Sequence, residues 1–295
     1  MPYLGEILAL LSGLAWAGAS IFFRLSGQTV PPLGLNLFKN ALALILLTLT
    51  MLLAGEAFFP AGLVAADYAL VLASGAIGIA VSDTLYFASI NALGASLSAV
   101  VATLYSPFII CFSLIFLGER LSLKQTAGVL LILAAVLIIS YRKADRSLSK
   151  KTLSAGITAG VLAQLATAAG IVILKPRLGH YPLLWVTNIR VGSGLLFLTA
   201  PILAHPGRKL LLGPLVRKAN WKFLVPATVL GTYLSMISWM GGMKYAQASV
   251  AAALNQLSTV FIFILAIIFL REKATPAKVA AVAIAAAGAL LASAP

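Results

Sequence analysis

Residues 115–120 read IFLGER, and 153 positions further on, residues 268–273 read IFLREK. At the same shift, without gaps, Gly78 meets Gly231, Tyr86 meets Trp239, Ala95-Ser96 meets Ala248-Ser249 and Phe108 meets Phe261. Beyond these, Ala127, Val129, Ala134 and Leu137 meet Ala280, Val282, Ala287 and Leu290. A shift of 151 sets Lys39 on Arg190. Apolar stretches resemble one another by chance, so the glutamates and the paired basic positions carry most of the weight. A chain that repeats one plan is expected to fold as two halves of shared topology.

The repeat unit is a set of apolar spans. Ten can be read along the chain, near residues 7–23, 35–54, 68–90, 95–117 and 123–141, then 153–174, 183–204, 223–246, 249–270 and 277–294. About 20 apolar residues cross the hydrocarbon of a bilayer as a helix. The chain is 61% hydrophobic, only 9% charged and has a mean hydropathy of +1.05. Soluble domains carry about 25% charged residues, so a membrane protein is indicated. A transmembrane barrel would show short alternating strands, and the sequence has none. Five helices per copy is an odd number, so the second copy enters the membrane from the opposite side. The expected fold is therefore an all-α integral membrane protein with ten transmembrane helices in two five-helix inverted repeats. The halves are expected at residues 1–146 and 147–295, split within the basic stretch RKADRSLSKK at 142–151. Inverted repeats are the architecture of many secondary transporters, with the substrate site near the midplane between them.

The first span imitates a signal peptide in position, and Ala17-Gly18-Ala19 imitates a cleavage site. Its n-region, however, carries Glu6 and no basic residue, the wrong sign for a secretory signal. It is expected to stay in the mature protein, because the repeat requires it.

The link NALG (91–94) and the run LYSPF…IFLGERLS, which ends the fourth span on Gly118-Glu119-Arg120, resemble the signature of the drug/metabolite transporter superfamily, specifically its EamA-type members. The resemblance covers nearly the whole chain and implies a ten-helix transporter working by alternating access. It implies almost nothing about substrate. The second copy departs from the pattern, with Val260 at the position of Pro107 and Arg271 at that of Gly118. The two halves are therefore not expected to bend alike. Independently of family, Ser122 and Gln125 form a capping box for the fifth helix, and Thr275 with Pro276 starts the tenth. Glu119 and Glu272, just before these caps, are expected to fix the turns through a neighbouring cation or exposed amides. The small residues of the fifth and tenth helices predict that these two pack together at the edge of the bundle.

Helices 1, 3, 4, 6, 8 and 9 line the central cavity in the family that the chain resembles, and here they carry the polar and aromatic residues. Trp16, Asp83, Tyr86, Gln164, Arg190, Trp239 and Gln256 are the candidate substrate-binding residues. For the aromatic and amide members, the competing reading is helix packing or an interfacial belt. Arg190 has no acidic neighbour in sequence, so it either snorkels to the nearer surface or meets an anion. Asp83 interrupts a run with no other charge between Tyr68 and Glu119, and an intramembrane acid is costly enough to be a functional candidate. Lys39 lies at comparable depth in the same leaflet. The two are expected to form an ion pair or share a vestibule, as a static pair or as a gate.

Other functions find little support. His180 and His205 lie in separate loops and Cys111 is alone, so neither a metal site nor a disulfide is expected. There is no phosphate-cradling glycine loop. No cofactor and no catalytic residue are expected, and Glu56 and Asp67 read as solvated loop charges. The net charge of +14 reports topology, not nucleic acid. Lys and Arg crowd the loops opposite the termini, while the termini side holds Arg120, Lys124, Lys175, Arg177 and Lys244. Basic loops are cytoplasmic, which puts both termini outside, whereas the family resemblance implies both inside.

The expected function is secondary active transport of a small polar or amphipathic metabolite, amino-acid-like in preference, across the cell membrane by a multi-pass protein. The alternative is a multidrug or organic-cation exporter, with Asp83 as partner of the cation. A non-transporting membrane bundle or a membrane enzyme is a weaker alternative. Expected partners are the small-molecule substrate, the lipid bilayer and a coupling proton, with the chain a monomer or homodimer.

Overall fold

The computed structural model describes residues 3–26, 32–140, 149–204, 207, 213, 221–270 and 276–294. It is an all-α membrane protein, ten transmembrane helices in two inverted five-helix repeats. Among the described residues seven helices are long and apolar enough to cross a bilayer, and three shorter apolar helices accompany them. In lipid a helix satisfies its own backbone polar groups, which is why apolar sequence of this length folds this way.

The first two helices are Leu4–Ser26 and Pro32–Leu53. The third runs through Ala65–Gly75, a π-helical segment Ala76–Val81, and on into Ser82–Ala102. The fourth ends with Tyr105–Phe116 and the fifth is Leu123–Ser140. Lys150–Val172 and Leu183–Ala204 form the sixth and seventh. The eighth comprises Trp221–Thr228, a second π-helical segment Val229–Leu234, and Ser235–Tyr245. The ninth is Ala248–Asn255 with Ser258–Leu270, and the tenth is Pro276–Ala292.

Helical hydrogen bonding continues through NALG, where the sequence suggests a link, yet the chain reverses there. Ser89 Oγ lies 3.4 Å from Ser98 Oγ. Nine residues of straight helix would separate them by about 13.5 Å. Gly118 ends the fourth helix at φ +64°, a conformation that glycine adopts without strain. The capping box then opens the fifth: Ser122 N donates to Gln125 Oε1 at 3.0 Å, and Gln125 N to Ser122 Oγ at 3.2 Å. Pro276 is the first residue of the tenth helix. Thr275, Arg271, Glu272 and His205 lie outside the described residues.

Packing joins the halves helix by helix. The first helix lies against the eighth and ninth, and the sixth against the third and fourth. The second packs on the seventh, and the fifth on the tenth. The last pair meets closely, with Gly128 against Gly288 and Ala292. The main core draws Ile109, Val129 and Ile132 from the first half and Trp185, Met240 and Leu254 from the second.

The expectation that the halves bend differently is corrected. The fourth helix breaks at Thr103–Leu104, four residues before Pro107, whose ring excludes the helical position of the Thr103 carbonyl. The ninth breaks at Gln256–Leu257, the same repeat position, with Val260 in place of the proline. Tertiary contacts hold the second break. Ser12 Oγ accepts from Asn255 Nδ2 at 2.9 Å, and a Cβ on Gly13 would lie 3.1 Å from the Asn255 carbonyl oxygen. The first helix thus presses a glycine against the opened turn and offers it a hydroxyl. The two π-helical segments also coincide in the repeat, each centred on its glycine, Gly78 or Gly231.

Candidate functional site

Arg190 sits two turns into the seventh helix, and its side chain does not snorkel. Only 2% of the residue is exposed. The guanidinium lies over the Trp239 ring, 4.9 Å from its centroid, and donates from Nε to Ser74 Oγ at 2.9 Å. Ser74 Oγ in turn donates to the Gly170 carbonyl, which fixes the hydroxyl so that a lone pair faces Arg190. Nη1 approaches Met240 Sδ at 3.7 Å, a weak acceptor. The π-helical segment brings Gly78 to the far side, where a Cβ would stand 2.7 Å from Nη2. Trp239 is held by its own bond, Nε1 donating to Tyr105 Oη at 2.6 Å. Helices 3, 4, 6, 7 and 8 therefore converge on one cation.

Among the described residues no carboxylate pairs with this cation. Among the described residues the ion pairs are Lys39–Asp83 and Arg177–Asp67, and neither includes Arg190. A guanidinium has five N–H donors, and the bonds to Ser74 and Met240 use two of them. The Asp83 carboxylate stands beside Lys39 instead.

Lys39 Nζ stands 3.8 Å from Asp83 Oδ2, with side chains 19% and 26% exposed. Both residues belong to the first half, so a movement of one half against the other leaves the pair whole. Tyr86 follows Asp83 by about one turn on the same helix. Trp16 is 39% exposed and lies over Gly231, on the π-helical segment of the eighth helix. Gln164 is buried one turn before Thr167, whose hydroxyl pairs with Ser82. Gln256 is buried at the break of the ninth helix. No hydrogen bond joins Trp16, Gln164 or Gln256 to Arg190 among the described residues. The structure thus gathers Arg190 with Trp239, and Asp83 with Lys39 and Tyr86, while the other three candidates stand apart.

Ser74, Gly78, Tyr105 and Met240 complete the Arg190 environment. Of these, Gly78 had a sequence signal, its coincidence with Gly231. Ser74 had none, because its role depends on the carbonyl of Gly170 on another helix.

Glu56 and Asp67, read from sequence as solvated loop charges, are corrected as well. Glu56 Oε2 accepts from Trp185 N at 2.7 Å, at the start of the seventh helix. Asp67 is buried and accepts from Tyr181 Oη at 2.7 Å and Arg177 Nη1 at 3.2 Å. Burial, with the Asp67 bond second, pushes the Tyr181 phenol up to about 12. Glu119 accepts from Ala248 N at 2.6 Å, and from Ser249 N and Oγ at 3.0 and 2.6 Å. It therefore caps the ninth helix through exposed amides, where a helix N-terminus favours negative charge.

Comparison with known proteins follows this geometry. A family model described as the EamA-like transporter family matches residues 3–141 and 154–294, one segment in each half. One solved crystal structure superposes with a TM-score of 0.80 at 18% identity, covering 99% of this chain and 97% of the other. At that identity it shows a shared fold. No curated protein matches the sequence.

Proposed function

The chain belongs to the EamA-like transporter family, a family of membrane transporters, and from that premise we propose that it is a secondary active transporter. Its cargo is a small polar or amphipathic metabolite, amino-acid-like in preference, carried by alternating access between the halves. The observation that carries this reading is Arg190, a buried guanidinium with spare donors and no carboxylate beside it. Burying a charge without a partner is costly, so such a group is kept for an anion that arrives with the substrate. A carboxylate would take the free Nη donors in a fork, the geometry that arginine favours, with Trp239 and Tyr105 forming an apolar wall. Asp83, half-buried and 3.8 Å from Lys39, is the group that a substrate amine or a coupling proton would compete for.

The rival reading, an organic-cation exporter, rests on Asp83 alone. A positive charge is repelled by Arg190, which favours a zwitterion over a simple cation. The halves divide at residues 1–146 and 147–295, and the protein works as a monomer or homodimer in the cell membrane. The test is thermal stabilisation of the purified protein by the twenty L-amino acids, by their carboxamides, and by quaternary ammonium ions, followed by flux of the best binder in proteoliposomes. Stabilisation by acids and not by their amides is expected. Stabilisation by quaternary ammonium alone would transfer the assignment to the cation exporter, and binding without flux would remove transport.

A further inference from the structure

Among the described residues, the carboxylates that hydrogen-bond from one half to the other lie on one face. Glu56, Asp67 and Glu119 all come from the first half, and all lie on the side of the termini. Each takes partners from the second half: Trp185 N at the start of the seventh helix, Arg177 and Tyr181 just before it, and Ala248 and Ser249 at the start of the ninth; Asp67 also accepts from Val64 N in its own half at 2.9 Å. The second half meets them as one braced edge. Lys175 Nζ donates to the carbonyls of Met243 and, at 2.5 Å, Ala246, closing the end of the eighth helix, while Lys244 Nζ donates to the Tyr181 carbonyl at 2.5 Å. Beside Glu119 and Lys175 lies an open cleft of about 400 Å³, lined also by Phe116, Leu117 and Pro176. Lys39–Asp83, by contrast, joins two helices of the same half.

We propose that Glu56, Asp67 and Glu119 form the termini-side gate of the transporter. In the structure this gate is closed. The three carboxylates hold the second half by its helix starts, and the face opens when the halves part and water replaces the amides and the Arg177 guanidinium. The chemistry suits a gate. Every bond in it joins a carboxylate to a donor at a helix start or in the link before one, so water can replace each partner once the halves part. The proposal rests on the alternating-access reading, but it needs no substrate to be tested.

The experiment measures opening directly. In a Cys111→Ser background, Ala252→Cys places a thiol on the ninth helix, at a position fully buried one turn behind Ser249. Its rate of modification by a membrane-impermeant maleimide, added from the termini side of proteoliposomes without ligand, reports the open state. Glu119→Ala combined with Asp67→Ala should raise the rate at least tenfold. Arg177→Gln, at a side chain 61% exposed and outside the core, should raise it severalfold. As a second measure, spin labels at the exposed positions Phe59 and Tyr245, one in each half, should shift to longer separations in the same variants. Rates within twofold of the parent together with unchanged spin-label distances would overturn the gate. That result would leave the Arg190 assignment standing, since the latter is judged by amino-acid stabilisation alone.

Discussion

Replacing Arg190 by glutamine should separate binding from folding. In the empty protein the guanidinium pays a desolvation penalty of several kcal/mol. Against it stand a hydrogen bond from a charged group to Ser74, worth about 1.5–3 kcal/mol, and the stack on Trp239, worth about 2 kcal/mol when desolvated. These nearly cancel, so Arg190→Gln should leave the unliganded melting temperature close to that of the parent. Binding behaves otherwise. Truncating one partner of a buried charge pair costs about 2–5 kcal/mol, and a loss of about 2.7 kcal/mol is a hundredfold in Kd. At a ligand concentration of about 100 Kd the parent gains about 2.7 kcal/mol of stability, and a hundredfold weaker variant at the same concentration keeps about 0.4 kcal/mol. The assay is a melting curve of purified protein with and without the amino acid that stabilises the parent most. Ligand stabilisation should almost vanish in Arg190→Gln while the unliganded curve stays put. A variant that melts far lower without ligand yet keeps the full ligand shift would refute the reasoning and make Arg190 a structural residue.

Three further outcomes follow from the same geometry. Asp83→Asn should cost no more than about 1 kcal/mol of stability, because the pair is long and partly exposed, yet stop or uncouple flux, and the exchange Lys39→Asp with Asp83→Lys should partly restore it; undiminished flux in Asp83→Asn would reduce the pair to a static contact. Gly78→Ala should push the guanidinium off its position, weakening amino-acid binding about tenfold at a stability cost of about 1–3 kcal/mol, as read by ligand titration of the melting temperature; unchanged affinity would show that Arg190 adjusts freely. Gly128→Val, facing Gly288 and Ala292 far from the site, should lower stability by about 1–3 kcal/mol and leave ligand affinity unaltered.

Much of the fold was legible because it rests on properties that each residue carries by itself. Span length, the 153-residue repeat and the Ser122–Gln125 capping box are all written in side chains, as are the small residues that join the fifth and tenth helices. The termini-side contacts were not legible. Glu56 and Glu119 bind the backbone amides of Trp185, Ala248 and Ser249, and an amide has no letter of its own in the sequence. Asp67 shows another limit: its partners Arg177 and Tyr181 are more than a hundred residues away and come near only when the halves assemble. At the candidate site, Arg190 stood out as a cation within an apolar span, while the hydroxyl of Ser74 that aims it looked like any other serine. The ninth-helix break has no proline to mark it, since Val260 stands at that position and Ser12 and Gly13 of another helix support the break.

That break has a historical consequence. The fourth and ninth helices open at matched residues, and the third and eighth each widen into a π turn at matched glycines. A π turn is one residue too many for the α-helix around it, and two independent insertions would have no reason to fall in register. Both irregularities are therefore older than the duplication, inherited from one ancestral five-helix unit. Pro107 stands at this bend in one copy and Val260 in the other, so the shape does not depend on the proline.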